Sequence, residues 1–219
     1  MTILGIDEAG RGAVIGPLVI AGAMAKEEDH DTIKELGVKD SKLLSPKRRE
    51  ELAEQLESKL LKYKIIEIPP EVIDVSRLNL GINLNELEMK NMAEIINELK
   101  PKKAYVDAVD ANIKNVHYQI KKYLRVDAKI IAEHKADATY PIVSAASIIA
   151  KVTRDRRIEE LKEKYGEIGS GYPSDPTTKT FLSEWFKENR SFPSFVRKSW
   201  ETIAEFEAKR KQTSLKEFK

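Results

Sequence analysis

Four acidic residues lie where predicted β-strands end, and they are Asp7, Glu8, Asp107 and Asp137. The strands before them are the apolar or β-branched runs at 2–6, 103–107 and 126–133. In open α/β sheets, crevices form outside the ends of the strands, so carboxylates that are distant in sequence can meet there. We therefore expect these four side chains to converge. Taken singly, each acid is equally compatible with capping a helix or pairing with a nearby Lys or Arg, and strand alternation points Glu8 away from Asp7.

Carboxylates that share one crevice repel each other unless a cation neutralises them. Sites built only from oxygen ligands suit Mg²⁺ or Mn²⁺ rather than metals that prefer thiolates, and the chain has no cysteine. Two such ions about 4 Å apart can activate a water on one side of a phosphorus atom and stabilise the leaving oxygen on the other. The acids therefore predict phosphodiester chemistry.

The elements that must position these acids alternate between strand and helix. Strand character is found at 2–6, 14–24, 62–68, 103–107 and 126–133. Ser45 followed by Pro46 is a typical helix start, and apolar residues repeat with helical spacing within 52–60, 84–99 and 113–124. From Pro141 onward the pattern is helical, at 144–151, 158–165, 178–188 and 200–211. We predict an α/β core over residues 1–140, a helical region over 141–211 and a tail over 212–219.

Composition excludes several classes of protein. The 219 residues carry 38 Lys and Arg against 36 Asp and Glu, so a net charge of +2 neither predicts nor excludes a nucleic-acid partner. No apolar stretch reaches the roughly 20 residues that a membrane helix needs. The N-terminus reaches Asp7 and Glu8 without a basic region before its apolar residues, unlike a signal peptide. We therefore expect a cytoplasmic protein that does not bind membranes.

Six motifs carry a resemblance to a known family. They are GIDEAGRG at 5–12, DSK at 40–42, YVDA at 105–108, EHKAD at 133–137, SAASIIAKV at 144–152 and GSGYPSDP at 169–176. In this order they closely resemble ribonuclease HII, the type 2 ribonuclease H, of the archaeal type. The resemblance runs from residue 3 to about residue 200, and the combination of DEAGRG with HKAD is far more specific than a lone glycine motif.

This resemblance implies a ribonuclease H-like fold, a mixed five-stranded sheet flanked by helices, with a C-terminal helical region that covers the substrate. It implies a monomeric endonuclease of DNA replication and ribonucleotide excision repair. The enzyme would cut the RNA strand of RNA/DNA hybrids and also cut 5′ of single ribonucleotides in duplex DNA, leaving 3′-hydroxyl and 5′-phosphate ends. The implied catalytic and metal-binding residues, for two Mg²⁺ or Mn²⁺ ions, are Asp7, Glu8, Asp107 and Asp137.

The resemblance also implies which residues read the substrate. Backbone groups of Gly10, Arg11 and Gly12 would contact the ribose 2′-hydroxyl, and Tyr172 would pack on the next sugar. Glycines do allow close approach of a backbone, and the 2′-hydroxyl distinguishes RNA from DNA. From the residues alone, a plain hairpin turn and a loop-packing tyrosine are simpler interpretations. Many relatives carry proline where this chain has Ala13, a difference of less than about 1 kcal/mol that bears on how the turn is held.

Phosphate contacts are expected from short hydroxyls and cations near a helix start, namely Lys42, Ser144, Ser147, Lys151 and Arg154. Tight helix packing would explain the serines equally well, and solvated surface charge would explain the two cations of the helix.

The C-terminal sequence QTSLKEFK resembles the box that docks on the sliding clamp, proliferating cell nuclear antigen, with Gln212, Leu215 and Phe218 as anchors. One helical turn would present Leu215 and Phe218 on one face to a hydrophobic groove. The usual second aromatic residue is missing, and a frayed charged tail is the alternative.

Two other functions are compatible with parts of the pattern. An integrase or transposase has the same type of sheet and acids but does not require a 2′-hydroxyl, whereas the glycine turn and Tyr172 favour a ribonuclease. A non-enzymatic clamp accessory would keep the tail but would not need the four acids.

Overall fold

A mixed five-stranded sheet forms the centre of the protein. The computed structural model describes residues 1–38, 44–206 and 208. The strands are β1 (Thr2–Ala9), β2 (Leu18–Lys26), β3 (Lys62–Ile68), β4 (Lys103–Asp107) and β5 (Lys129–Glu133). They lie in the order β3-β2-β1-β4-β5, with β1 antiparallel to β2 and parallel to β4, and β4 parallel to β5.

The helices are α1 (His30–Glu35), α2 (Pro46–Lys59), α3 (Pro70–Asp74), α4 (Leu84–Leu99), α5 (Ile113–Tyr123), α6 (Ala136–Thr139), α7 (Pro141–Tyr165) and α8 (Pro176–Asn189). A 3₁₀ turn precedes α1, a π-helical turn follows α3, and residues 201–206 are also helical. Local side chains set several of the starts. Ser45 accepts a hydrogen bond from the N–H of Arg48 at α2, and Asn83 accepts one from the N–H of Glu86 at α4.

Helices pack against both faces of the central strands. A Cβ atom added to Gly5 of β1 would overlap the backbone of Ile142, so the start of α7 rests directly on this strand. On the opposite face, the side chain of Ile95 from α4 lies against Gly22 of β2. Glycine is required at position 5 because the atom that it approaches is backbone and cannot move aside on its own.

The chain divides into two compact units. The first, which contains the sheet, comprises Met1–Ala9, Val19–Glu67 and Asn83–Arg154. The second comprises Gly10–Leu18, Ile68–Ile82 and the described residues from Asp155 onward. The core of the first unit is aliphatic and rich in alanine, which lets α7 approach the sheet closely. The core of the second unit is aromatic, with Phe186 stacked on Phe192 and Tyr165 packed on Phe195.

The fold class predicted from the sequence is confirmed, since five strands and the helices after Ser45 form. β1 continues to Ala9, beyond the predicted end at residue 6, so Asp7 and Glu8 lie within it, and β5 begins at Lys129 rather than at residue 126. The second strand begins at Leu18 rather than at residue 14, because Gly16 and Pro17 interrupt the apolar run. The helices predicted at 144–151 and 158–165 are one continuous helix, α7. The first unit extends to Arg154, so the two units do not coincide with the division predicted at residue 140. Among the described residues, no helix is long and apolar enough to cross a membrane.

Gly5→Ala is expected to lower the free energy of unfolding by roughly 3 kcal/mol, because the new methyl group forces α7 away from β1. Chemical denaturation measures the change. Gly12→Ala is the matched control, since the nearest atom to its Cβ would be Tyr172 Cε1 at 3.9 Å, and we expect a change of less than about 1 kcal/mol. Equal stability of the two variants would contradict the packing of α7 described here.

Candidate active site

Asp7 is a buried acid close to the end of β1. Only 5% of its surface is exposed to solvent. The parallel register pairs Ile6 with Val106, which brings the ends of β1 and β4 side by side. Asp7 therefore lies near Asp107, as the sequence predicts for carboxylates at neighbouring strand ends.

The electrostatic environment of Asp7 is unusual for an aspartate. Burial raises the pKa of its carboxyl group from 3.8 to about 7, and the negative charges of Asp107 and Asp137 raise it in the same direction. Two hydrogen bonds oppose the rise, one from the hydroxyl of Ser147 and one from the N–H of Glu8 to Asp7 Oδ1 at 2.8 Å. Three of the four predicted acids therefore interact electrostatically, whereas Glu8 acts on Asp7 through its backbone N–H.

Hydrogen bonds between side chains and backbone groups hold Asp107 and Asp137 in place. Asp107 Oδ1 accepts a bond from the N–H of Ala136 at 2.8 Å, which fixes the first residue of α6 next to β4. Asp137 is the next residue of that short helix. The hydroxyl of Ser144 donates to the carbonyl of Asp137, and this serine is only 2% exposed. Ser144 thus holds the backbone that carries Asp137, and the phosphate contact predicted for it stays a prediction.

The remaining predicted phosphate contacts on α7 have different environments. The hydroxyl of Ser147 bonds to the carboxylate of Asp7, and the phosphate contact predicted for this serine stays a prediction. Lys151, four residues further along the same helix face, is partly exposed. Arg154 is only 2% exposed, and the phosphate contact predicted for it stays a prediction.

Sequence reasoning missed a group of three side chains next to these acids. Glu133 at the end of β5 pairs in register with Asp107. The hydroxyl of Tyr140 donates to Glu133 Oε1 at 2.7 Å, and this bond is the main reason that the pKa of Tyr140 rises to about 12. The ring of Tyr140 also packs on Tyr105, with centroids 4.3 Å apart. Together these contacts fix the segment between β5 and α7 that contains Asp137, and the strand-end position of Glu133 was the signal that could have identified it.

The donor set fits a divalent cation by its chemistry. Asp7, Asp107 and Asp137 supply only oxygen atoms. Burial of Asp7, and then its repulsion by the other two acids, raises its pKa, and a bound cation would relieve both effects. Within the described residues, no group of three or more Asp, Glu or His side chains is already arranged to hold a metal ion. Like charges that are not neutralised tend to move apart. The three carboxylates therefore do not form a preformed metal site, but they are the residues that could gather around an ion.

The predicted ribose-reading turn lies in the second unit. Gly10 is buried and has a φ angle of 80°, a left-handed conformation that favours glycine. Its carbonyl accepts a bond from the N–H of Ala13 at 3.2 Å, which closes a four-residue turn. Proline at position 13 would have no N–H to give this bond. Gly12, by contrast, is exposed.

Tyr172 lies beside this turn. A Cβ atom on Gly12 would be 3.9 Å from the Tyr172 ring. The carbonyl of Gly171 accepts bonds from the N–H groups of Val14 at 2.8 Å and Ile15 at 3.1 Å, so the two segments are joined through their backbones. Asp175 supports the Tyr172 loop by accepting a bond from the N–H of Ser170 at 2.6 Å, and bonds from Ser170 lower the pKa of Asp175 to about 2.

Arg197 is a further residue that the sequence did not identify. Its side chain is fully buried, and its guanidinium donates to the carbonyls of Gly10, Arg11 and Gly16 at 2.7, 2.9 and 3.0 Å. The same guanidinium lies 4.8 Å from the ring centroid of Trp200. An arginine between Val196 and Lys198 has no spacing that distinguishes it from a surface cation.

Two sets of predicted contacts lie outside the described residues. They are the phosphate contact of Lys42 and the clamp-binding anchors Gln212, Leu215 and Phe218.

Comparison with known proteins identifies the family. Residues 4–203 match the sequence model of ribonuclease HII. The chain is 50% identical to ribonuclease HII of Thermococcus onnurineus (strain NA1), over 100% of this chain and 99% of that protein. The crystal structure of ribonuclease H2 from Pyrococcus horikoshii OT3 is similar with a TM-score of 0.89 and 50% identity, covering 95% of this chain and 98% of that one. The ribonuclease HII from Archaeoglobus fulgidus, solved in complex with PCNA, gives a TM-score of 0.85 and 46% identity over 92% and 96%.

The mixed sheet with acids at its strand ends defines a nuclease of the ribonuclease H fold. Within that class, the chain belongs to the ribonuclease HII family. It is therefore an enzyme with ribonuclease H activity on RNA/DNA hybrids.

Asp7→Asn is expected to stabilise the metal-free protein at pH 8. The pKa of Asp7 is raised to about 7 by folding, so the folded chain holds this proton more tightly than the unfolded chain does. The contribution of Asp7 to stability therefore falls as the pH rises from about 4 to about 7. Asparagine has no such charge, which makes the variant more stable by roughly 2–4 kcal/mol above that window. Thermal unfolding in EDTA at pH 5 and pH 8 measures the difference.

Asp127→Asn is the matched control, because this aspartate lies exposed before β5. It should not change the pH dependence. Addition of Mn²⁺ should raise the Tm of the wild type but not that of Asp7→Asn. An Asp7→Asn variant that is no more stable than the wild type at pH 8 would show that the carboxylate is not under electrostatic strain.

Proposed function

We propose that this ribonuclease H activity proceeds by two-metal-ion catalysis and extends to single ribonucleotides in duplex DNA, which are cut on their 5′ side. The observation that carries the proposal is the carboxylate of Asp7, buried beside Asp107 and Asp137 with a pKa raised to about 7. Burying interacting acids is unfavourable unless a cation completes the site. Membership of a metal-dependent family agrees with this interpretation.

In the mechanism that we propose, Asp7, Asp107 and Asp137 would hold two Mg²⁺ or Mn²⁺ ions together with Glu8. The chemistry that bound ions supply is activation of a water and stabilisation of the leaving 3′-oxygen, which yields 3′-hydroxyl and 5′-phosphate ends. The chain keeps the ligands ready. The Ser147 hydroxyl favours the ionised form of Asp7, and the N–H of Ala136 holds the carboxylate of Asp107 in place.

Recognition of the ribose is assigned to the second unit. Gly12 is exposed beside the ring of Tyr172, so a sugar at this turn would meet backbone amides and an aromatic face. Backbone groups can hydrogen-bond to a 2′-hydroxyl, which DNA lacks. Lys151, partly exposed on α7, is the candidate for contact with a phosphate. The family match favours this function over a DNA-cutting integrase or a non-enzymatic clamp accessory.

Three duplexes test the substrate range: an RNA/DNA hybrid, a DNA duplex with one ribonucleotide, and an all-DNA duplex of the same sequence. With Mg²⁺ or Mn²⁺, we expect cutting of the first two only, and a single cut on the 5′ side of the ribonucleotide in the second. Denaturing gels measure the products and their ends. Cutting of the all-DNA duplex would support the integrase alternative, and binding without cutting would support the accessory.

Asp7→Asn should reduce cleavage at least about 1000-fold while hybrid binding stays within about threefold, because the metal ligand is lost but the phosphate contacts remain. Single-turnover kinetics and fluorescence anisotropy provide the two measurements. Asp127→Asn again serves as the control and should cleave normally. Near-normal cleavage by Asp7→Asn would refute the role proposed for this carboxylate.

We also propose that the C-terminal tail binds a sliding clamp. The similar ribonuclease HII from Archaeoglobus fulgidus was solved as a complex with PCNA, and it covers 92% of this chain. The sequence of the tail contains the spacing of Gln212, Leu215 and Phe218 that such a contact would use. Two apolar anchors three residues apart suit a helical turn docking into a groove.

Phe218→Ala should abolish capture of the purified host clamp in a pull-down and leave cleavage of a short hybrid unchanged. Lys219→Ala is the control at the neighbouring position and should retain the clamp. Capture that survives Phe218→Ala would remove this proposal without affecting the catalytic one.

A further inference from the structure

Arg197 is the fully buried cation beneath the turn formed by residues 10–13. Its Nη2 donates to the carbonyl of Gly10, its Nη1 to that of Arg11, and its Nε to that of Gly16. The guanidinium also lies over the ring of Trp200. One planar fork thus holds three carbonyls in one stretch of chain, which the single nitrogen of a lysine could not do.

These bonds determine where the amides of the turn point. A peptide unit is planar and trans, so its N–H points away from its C=O. Because Arg197 draws the carbonyls of Gly10 and Arg11 inward, the N–H groups of Arg11 and Gly12 in the same two peptide units are directed the opposite way. Gly10 is buried and Gly12 is exposed, which agrees with an inner carbonyl side and an outer amide side.

We propose that Arg197 is a positioning residue for ribose recognition: by fixing the carbonyls of the turn, it directs the turn's amides toward the 2′-hydroxyl of the substrate. This inference rests on the proposed function, in which this turn reads the ribose. Arg197 contributes to the choice between RNA and DNA without touching either. Its effect is on selectivity for the sugar rather than on the chemical step.

The test measures the ratio of dissociation constants for two duplexes that differ only in one 2′-hydroxyl, in EDTA so that neither is cut. Arg197→Lys should lower the preference of the wild type for the ribonucleotide duplex by about fivefold or more, the equivalent of one amide hydrogen bond. Arg77→Lys is the matched control. Arg77 lies over the same Trp200 ring at 4.7 Å but bonds to Ser199 rather than to the turn, so its ratio should equal that of the wild type.

An unchanged ratio in Arg197→Lys, or an equal fall in Arg77→Lys, overturns the inference. A wild type with no preference for the ribonucleotide duplex would instead reject the proposed function itself, so the two failures are distinguishable.

A second measurement uses only the wild type and therefore does not depend on folding of the variant. Hydrogen–deuterium exchange at the Gly12 amide should slow when the ribonucleotide duplex is bound, and should slow less with the all-DNA duplex at equal occupancy. Equal protection by both duplexes would reject the proposed reading of the ribose by this turn, and the inference with it.

Discussion

The burial of the Asp7 carboxylate beside two other acids is the constraint on which the first unit depends. Asp7 lies out of water beside two other acids, and its pKa near 7 measures how unfavourable that position is. The surrounding structure keeps Asp7 in this position without neutralising the nearby negative charges. α7 rests on β1 at Gly5, Ser147 bonds to Asp7, and Ser144 holds the backbone of Asp137. Stability is therefore given up where the chemistry needs concentrated charge, a trade that is common at active sites.

The second unit solves a different problem with different means. In the proposed function it presents backbone groups to the substrate, and its loops are held by hydrogen bonds to their backbone groups rather than by interactions between charged side chains. The carbonyl of Gly171 accepts hydrogen bonds from two N–H groups in the segment after the turn, and the carbonyl of Phe195 accepts one from the N–H of Gly16. Aromatic packing among Tyr165, Phe181 and Phe195 gives the loops a rigid base. A turn held in this way loses little conformational freedom when it binds a sugar, which favours affinity.

Sequence reasoning reached the strands and the acids because both follow local rules. A strand that ends in a carboxylate is visible as a pattern, and Ser45 with Pro46 indicates a helix by capping chemistry alone. The start of β2 was placed too early because an apolar run does not show where pairing begins. The break predicted within α7 was wrong because charged residues between two apolar segments do not interrupt a helix. Contacts that join distant segments, such as Arg197 with Gly10 or Tyr140 with Glu133, have no signature in either local sequence.

The aromatic core of the second unit has a practical consequence for optical studies of folding. The chain has two tryptophans, Trp185 and Trp200, and both belong to that unit. Intrinsic emission excited near the red edge of protein absorbance will thus monitor only the half that presents the turn, and it will be silent about the half that gathers the acids. Far-ultraviolet circular dichroism samples helices of both. Superimposable melting curves from the two signals would mean a single cooperative transition, whereas displaced curves would resolve the order in which the halves come apart.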